Sequence, residues 1–479
     1  MKRSCELGVV GLGVMGRNLM LNLADHGHRV AGHDLEAGKV AAIRDARREE
    51  LVGVDSLDAL IERLERPRAV LVLVGAGRPV DSVIEELSQR LAEGDVVIDA
   101  GNSHFSETDR RAARLAEHGV SLLGVGVSGG ADGARHGASI MPGGPREAHA
   151  RVERLLTDVA ARVDDEPCTG WLGPGSAGHY VKMVHNGIEY GLMQLLAECY
   201  DVMRHGGGLD DEQVQNVFAR WSQGELAGYL VEITAEILRR RDDATGELLI
   251  HQVLDAARQK GTGIWTSQDA MDLGCPVPSI DTGVAARFLS ALREERVAAS
   301  TLLPGPAAAG VRDQDLGGPR ALVATLEGAL RAAMIILFAQ GMKLLAQASD
   351  AHGYDLSLSE IARIWRGGCI IRTVLLEAVR DAYARDPELP SLLVAPGLTE
   401  EVVQHQPALR AVVAGAARLG IPVPGMMAAL AYFDGYRRAR LPANLIQAQR
   451  DAFGAHTYER VDRDGSFHTE WAHSPEVAR

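Results

Sequence analysis

The sequence predicts an α/β domain built on a parallel sheet, then a large all-helical domain, then a short C-terminal segment of a third character. Three observations carry this. Over the first ~165 residues, short apolar runs alternate with segments of helical period. After the breaker cluster GWLGPGSAG (170–178) the strand signals fade, and helical period dominates to about residue 440. Beyond that, LPANLIQAQRDAFGAHTYERVDRDGSFHTEW (441–471) is polar and weakly periodic, yet holds Phe453, Tyr458, Phe467 and Trp471. Disordered tails lack such aromatics, so this one is expected to dock, on a second subunit. The expected division is 1–177, 178–440 and 441–479.

Strands are expected at Leu7–Val10, Arg29–His33, Ala69–Val74, Val96–Asp99 and Ser121–Gly124. Helical patterns between them include 56–64, with Ser56 as cap, and 79–94, opening on Pro79 and closing on Gly94. In the second domain, helical period covers 178–205, 210–219, 225–241, 247–260, 282–299, 320–352, 357–364, 369–383 and 399–418. EYGLMQLLAECYDVMRHGG and AQGMKLLAQASDAHGY echo each other, as a duplicated helical unit would.

Bulk properties narrow the class. A net charge of −14 with no basic run argues against nucleic acid and anionic membranes as partners. Five scattered cysteines without a CxxC pair suggest neither a disulfide framework nor a zinc site. The basic-then-apolar start imitates a signal peptide, but its glycines and the following Arg17 and Asn18 read better as strand–turn–helix. No run reaches the roughly 20 uninterrupted apolar residues of a membrane span. A cytoplasmic protein is expected.

Gly11-Leu12-Gly13-Val14-Met15-Gly16 follows the first strand and opens a helix. Gly11 suits the tight turn, Gly13 lets a pyrophosphate approach the backbone, and Gly16 allows close packing. The next strand ends at Asp34, eighteen residues after Gly16, about where a ribose-binding carboxylate belongs in a Rossmann-type domain. A carboxylate there accepts from both ribose hydroxyls and repels a 2′-phosphate, which favours NAD over NADP. NADP stays open through Lys39, Arg44, Arg47 and Arg48 downstream, and Asp34 also fits as the cap of its own turn.

Asp99-Ala-Gly-Asn102-Ser103 and Val127-Ser128-Gly129-Gly130 each close a strand, where open α/β sheets bind ligands; each alone also reads as a tight turn. In KMVHNGIEYG (182–191), Lys182, His185, Asn186, Glu189 and Tyr190 fall within an arc of about 140°. The same arc then carries Met193, Leu196 and Ala197, so the five form a polar island on a largely buried helix. Lys182 and Glu189 are an acid/base candidate pair, with a structural ion pair as the plainer reading. His185 and Glu189 lack a third metal ligand, so no metal is expected. Lys260, Arg287, Arg450 and His456 are the basic residues that an acidic protein would gather around an anion.

Together GLGVMGRNLMLNLADHG, DAGNS, VSGGADGARHG, GHYVKMVHNGIEYG, GTGIWT, WRGGCIIR and LPANLIQAQRDAFGAHTYER resemble the decarboxylating 6-phosphogluconate dehydrogenases, over nearly the whole chain. The resemblance implies oxidative decarboxylation of 6-phosphogluconate by a homodimer whose tails exchange. Lys182 would be base and then acid, and Glu189 the acid that protonates C1 of the enediol. Asn102, Ser128, Gly129, Gly130, His185 and Asn186 would meet the carboxylate and hydroxyls. Tyr190, Lys260, Thr262 and Arg287 would hold the phosphate, with Arg450 and His456 from a partner's tail. Leu12, Val14, Met15, Val74 and Asn102 would complete the coenzyme site. The chain departs from the family at Asp34-Leu35-Glu36, where Asn-Arg-Thr is usual, at Gly75 and Ile264, where lysine is usual, and at Ala131, where glutamate is usual. A related β-hydroxyacid or sugar-acid dehydrogenase, and a non-catalytic dinucleotide-binding scaffold, are the alternatives.

Overall fold

Residues 4–306 and 318–471 are described in the computed structural model. Seven strands form one sheet: β1 (Leu7–Val10), β2 (Val30–His33), β3 (Leu51–Gly53), β4 (Ala69–Val72), β5 (Val96–Asp99), β6 (Ser121–Ser128) and β7 (Ser139–Gly143). Their order is β3-β2-β1-β4-β5-β6-β7, so the chain reverses direction across the sheet between β1 and β4. The first six run parallel and β7 runs antiparallel to β6. Helices α1 (Val14–Asp25), α2 (Ala37–Asp45), α3 (Leu57–Ile61), α4 (Arg78–Ser88), α5 (Phe105–Ala116), α6 (Gly130–His136) and α7 (Arg146–Asp158) connect them. Two apolar layers result. Leu19, Leu23, Val40 and Leu155 cover one face; Leu60, Ile84, Leu87 and Leu115 cover the other. Sequence reading missed β3 and β7. The first is three residues ending in glycine; the second, SIMPG, carries a proline that only an edge strand tolerates.

Helix α8 (Ala177–Asp201) then packs along β6 and β7. Its seat is lined with glycine. A methyl added at Gly178 would meet the Met141 and Gly124 carbonyls at 2.2 and 2.3 Å, and one at Gly126 would meet the Lys182 Cβ at 2.4 Å. Around α8 pack α11 (Thr262–Asp272), α12 (Pro278–Ala291) and the 35-residue α14 (Gly318–His352), after α9 (Asp211–Trp221) and α10 (Tyr229–Ile237) and with α13 (Arg293–Leu302) between α12 and α14. Gly191 fits against Leu337 and Gly341 against Ile188, so the two echoing segments belong to two long helices in close contact. By length and composition α14 is apolar enough to cross a membrane, but 78% of its most apolar window is buried inside the protein. Helices α15 (Leu358–Trp365), α16 (Leu375–Arg385), α17 (Leu398–Leu419) and α18 (Pro424–Tyr436) follow. The buried Glu198 on α8 accepts the N–H groups of Gly425 (2.6 Å) and Met426 (2.9 Å) at the start of α18, and burial pushes its carboxyl up to about 7.

The described residues fall into two compact units divided between Leu430 and Ala431. In the second, the tail forms helix α19 (Ala443–Gly454) and a hairpin of Tyr458–Glu459 with Ser466–Phe467. The sequence did not show this helix because Leu445, Ile446 and Phe453 stay exposed and make no periodic buried face. Two expected helices change for the same kind of reason. The stretch 247–260 is only a 3-10 turn at Leu249–His251, since Val253 and Leu254 find no core to pack on. The stretch 282–299 breaks at Leu292 into α12 and α13.

The seat of α8 generates a prediction. Gly178→Val should destabilise the protein by at least about 2 kcal/mol in urea unfolding, because backbone rather than side chains must yield; unchanged stability would show that α8 is not held this closely.

Candidate active site

The glycine turn behaves as its spacing predicts, with one refinement. Gly11 has φ +99°, and a methyl there would meet the Leu73 carbonyl at 2.3 Å. At Gly16 a methyl would strike the Gly11 carbonyl at 2.0 Å, so this glycine lets the helix close on the turn itself. Nothing lies within 4 Å of a methyl at Gly13, where the backbone faces a cleft of about 530 Å³ that Gly11, Asp34, Leu35, Lys39 and Val74 also line. The first-turn N–H groups of α1 have no intrahelical partner, which suits a pyrophosphate. Val14 is exposed and Met15 half-buried, whereas the Leu12 side chain lies in the core and offers only backbone to a ligand.

Asp34 does cap its own turn: Oδ1 accepts from Glu36 N at 2.9 Å. Oδ2 accepts from Leu12 N at 2.7 Å, which ties the end of β2 to the glycine turn. A carboxylate has about four acceptor positions, so two remain for ribose hydroxyls. Partial burial raises its pKa, but these two N–H groups and Lys39 outweigh that and hold it below the ordinary value. Three of the four basic residues downstream are already engaged with carboxylates. Lys39 Nζ is 2.6 Å from Glu36 and 3.6 Å from Asp34, Arg44 pairs with Asp55, and Arg48 with Asp25.

At the end of β5, Asp99 is fully buried. It accepts from Gly101 N (3.1 Å) and Ser103 Oγ (2.6 Å), which shapes the loop that exposes Asn102. Arg111, also buried, reaches Ser103 Oγ at 3.1 Å, Asp99 at 3.7 Å, Asp81 at 2.8 Å and the Gly77 carbonyl at 3.2 Å. It joins the loop after β4, which starts at the cleft, to the loop that carries Asn102. Sequence reading missed Arg111. It sits on a strongly charged helix, and only the fold reveals that it points inward.

On α8 the polar island is buried: Lys182 and Asn186 are 7% exposed and His185 is 0%. His185 Nε2 lies 3.1 Å from Ser128 Oγ, and its Nδ1 lies 3.3 Å from Lys182 Nζ and 3.2 Å from Asn186 Oδ1. Burial and the Lys182 charge keep the imidazole well below its ordinary pKa, hence neutral. Burial lowers Lys182, against the pull of Glu189. Burial raises Glu189, against Lys182 and Arg287. Each of the pair is thus pushed toward its uncharged form, the condition for a base and an acid at neutral pH. His185 Nδ1 is 3.9 Å from Glu189, but among the described residues no three His, Cys, Asp or Glu side chains are grouped as metal ligands. Gly129 and Gly130 have φ of +112° and +62°. A methyl at Gly129 would meet the Gly368 carbonyl at 2.5 Å, while Gly130 faces open space.

One turn further, the Arg287 guanidinium lies 3.6 Å over the Tyr190 ring. Gly263 packs on that ring and thereby brings Thr262 alongside, and Lys260 is exposed just before it. In the tail unit, Arg450 and His456 are both exposed. Between them Asp451 is fully buried and accepts from Thr457 N, His468 Nδ1, Thr469 N and Trp471 Nε1. Burial raises its pKa, and the donors of His468, Trp471 and Thr469 overrule this and hold the carboxyl at about 2.

Residues 178–471 match the model of the 6-phosphogluconate dehydrogenase C-terminal domain, and residues 6–173 match the NAD binding domain of 6-phosphogluconate dehydrogenase. The chain belongs to the 6-phosphogluconate dehydrogenase family. It is 48% identical over 467 residues to the NADP(+)-dependent, decarboxylating 6-phosphogluconate dehydrogenase of Bacillus subtilis, covering 97% of this chain and 99% of that one. A decarboxylating 6-phosphogluconate dehydrogenase of Synechococcus elongatus is also 48% identical, over 470 residues, 97% of this chain and 99% of that one. The Plasmodium falciparum 6-phosphogluconate dehydrogenase, solved in apo form, with its cofactor NADP+ and with its substrate 6-phosphogluconate, superposes with a TM-score of 0.94. It shares 40% identity, covering 98% of this chain and 100% of that one. The family resemblance read from the motifs is therefore correct.

Arg111 generates a prediction. Arg111→Met leaves the buried Asp99 without its cation and should cost about 3 kcal/mol or more in chemical unfolding; a loss below about 1 kcal/mol would show that the serine and backbone donors suffice.

Proposed function

We propose that this chain converts 6-phospho-D-gluconate to D-ribulose 5-phosphate and CO2, passing a hydride to a nicotinamide dinucleotide, with NAD+ preferred. The buried row of Lys182, His185, Asn186 and Glu189 beside Ser128 carries the reading, and family membership supports the substrate and the reaction class. When bound, the dinucleotide supplies the acceptor for the hydride that leaves C3. Lys182, whose burial favours the neutral amine, takes the C3 hydroxyl proton. The product is a β-keto acid. The Lys182 ammonium polarises its carbonyl and returns the proton to that oxygen as the C1–C2 pair moves in and CO2 departs, which asks for no metal ion. Glu189, whose burial favours the acid form, then protonates C1 of the enediol.

Asn102, Ser128, Gly129, Gly130, His185 and Asn186 hold the carboxylate and hydroxyls in this reading. Tyr190, Lys260, Thr262 and Arg287 hold the phosphate, with Arg450 and His456 of the partner subunit. The exposed Phe288, Leu289, Leu292 and Val297, and Leu445, Ile446 and Phe453 in the tail, are the kind of apolar surface a homodimer would cover. The cytoplasm is the compartment this reading implies, and the five free, buried cysteines agree with it.

NAD+ preference is supported by Asp34, by Leu35, which is 96% exposed and offers no cation, and by the engagement of Lys39, Arg44 and Arg48 with carboxylates. Initial rates with 6-phosphogluconate should give a higher kcat/KM for NAD+ than for NADP+, and Asp34→Asn with Leu35→Arg should lower that ratio by about tenfold or more. A native preference for NADP+ would assign control of the pocket to Lys39.

The pH profile follows from the two shifts. Activity should fall on the acid side as Lys182 becomes protonated and on the basic side as Glu189 ionises. Glu189→Gln should cut kcat by about 10² or more and remove the basic limb from the residual activity; a basic limb that persists would transfer that ionisation to another group.

A further inference from the structure

The two exposed basic residues of the tail, Arg450 and His456, are held by one element. Asp451 Oδ1 accepts from Thr457 N (3.0 Å) and His468 Nδ1 (2.9 Å); Oδ2 accepts from Thr469 N (3.0 Å) and Trp471 Nε1 (2.7 Å). Ala455 and Thr457, on either side of His456, have φ of +48° and +59°, a region that non-glycine residues adopt only when something holds them there. The hold is a closed circuit. Asp451 fixes the Thr457 N–H, the Thr457 carbonyl accepts from Gln447 Nε2 at 2.5 Å, and Gln447 Oε1 accepts from Arg450 Nη1 at 3.1 Å. The circuit therefore sets the His456 turn and the Arg450 guanidinium together.

Its charge matters as much as its shape. An ionised carboxylate has about four acceptor positions, and all four are filled by donors other than Arg450 and His456. The carboxylate organises the two basic side chains without neutralising either, which leaves them available to a dianion. We infer that Asp451 is a positioning residue for the substrate phosphate, acting through Arg450 and His456 in the subunit interface. This rests on the reading that those two residues bind the phosphate.

The test uses the full-length enzyme with 6-phosphogluconate and with unphosphorylated gluconate, read as the ratio of their kcat/KM values. The coenzyme KM and the circular dichroism spectrum serve as controls. Arg450→Ala should lower the ratio by about tenfold or more, and Asp451→Asn should do so as well, through the KM for 6-phosphogluconate, because an amide N–H₂ cannot accept from two of the four donors. Trp471→Phe keeps the ring, removes one donor and should act in the same direction by about threefold, which decides the matter if Asp451→Asn does not fold. If Arg450→Ala lowers the ratio while folded Asp451→Asn or Trp471→Phe leaves it unchanged, the positioning role is overturned and the phosphate site stands. If Arg450→Ala leaves the ratio unchanged, the phosphate reading itself falls, and this inference with it.

Discussion

Everything at the candidate site depends on one helix lying directly on the backbone of two strands. Ordinary helix–sheet packing interposes side chains, and α8 instead meets β6 and β7 through Gly124, Gly126, Gly143 and Gly178. That contact places Lys182 against Gly126 of β6 and His185 within reach of Ser128 at its end. Side chains at those glycines would push the helix outward, and the lysine would reach solvent and regain its charge. Backbone proximity and the depressed lysine pKa are thus one fact seen at two scales.

The electrostatics follow from the same closeness. Burial alone would make a lysine, a histidine and a glutamate on adjacent turns costly. The cost is contained because each is driven toward its neutral form, and because Ser128 and Asn186 give the imidazole partners. Elsewhere the chain surrounds buried carboxyl groups with donors. Asp99 has a serine, a backbone amide and Arg111, and Asp451 has four donors. Groups suited to proton transfer are those left short of counter-charge; groups that hold loops in place are saturated.

Much of this was legible in the sequence because it is local. The glycine turn, the acid after β2 and the polar row on α8 are each contained in one short segment whose period or spacing is itself the signal. What escaped depends on contacts between distant segments. Strands β3 and β7 are short and broken by glycine or proline, and only pairing with β2 and β6 makes them strands. The 247–260 stretch has the apolar residues of a helix without a surface to bury them on. Arg111 looks like any exposed arginine until α5 is laid beside the β4 and β5 loops. Asp451 reads as one more polar residue until the hairpin folds back to supply His468, Thr469 and Trp471.

Glu198 gives α8 a second role. Sixteen residues beyond Lys182, about 24 Å along the axis at 1.5 Å per residue, the same helix grips the first turn of α18 through the amides of Gly425 and Met426. From α18 the chain runs on into the tail. A single helix therefore carries the candidate acid–base row near one end and the anchor of another helix near the other. The spacing between the two is set by one unbroken run of helical hydrogen bonds.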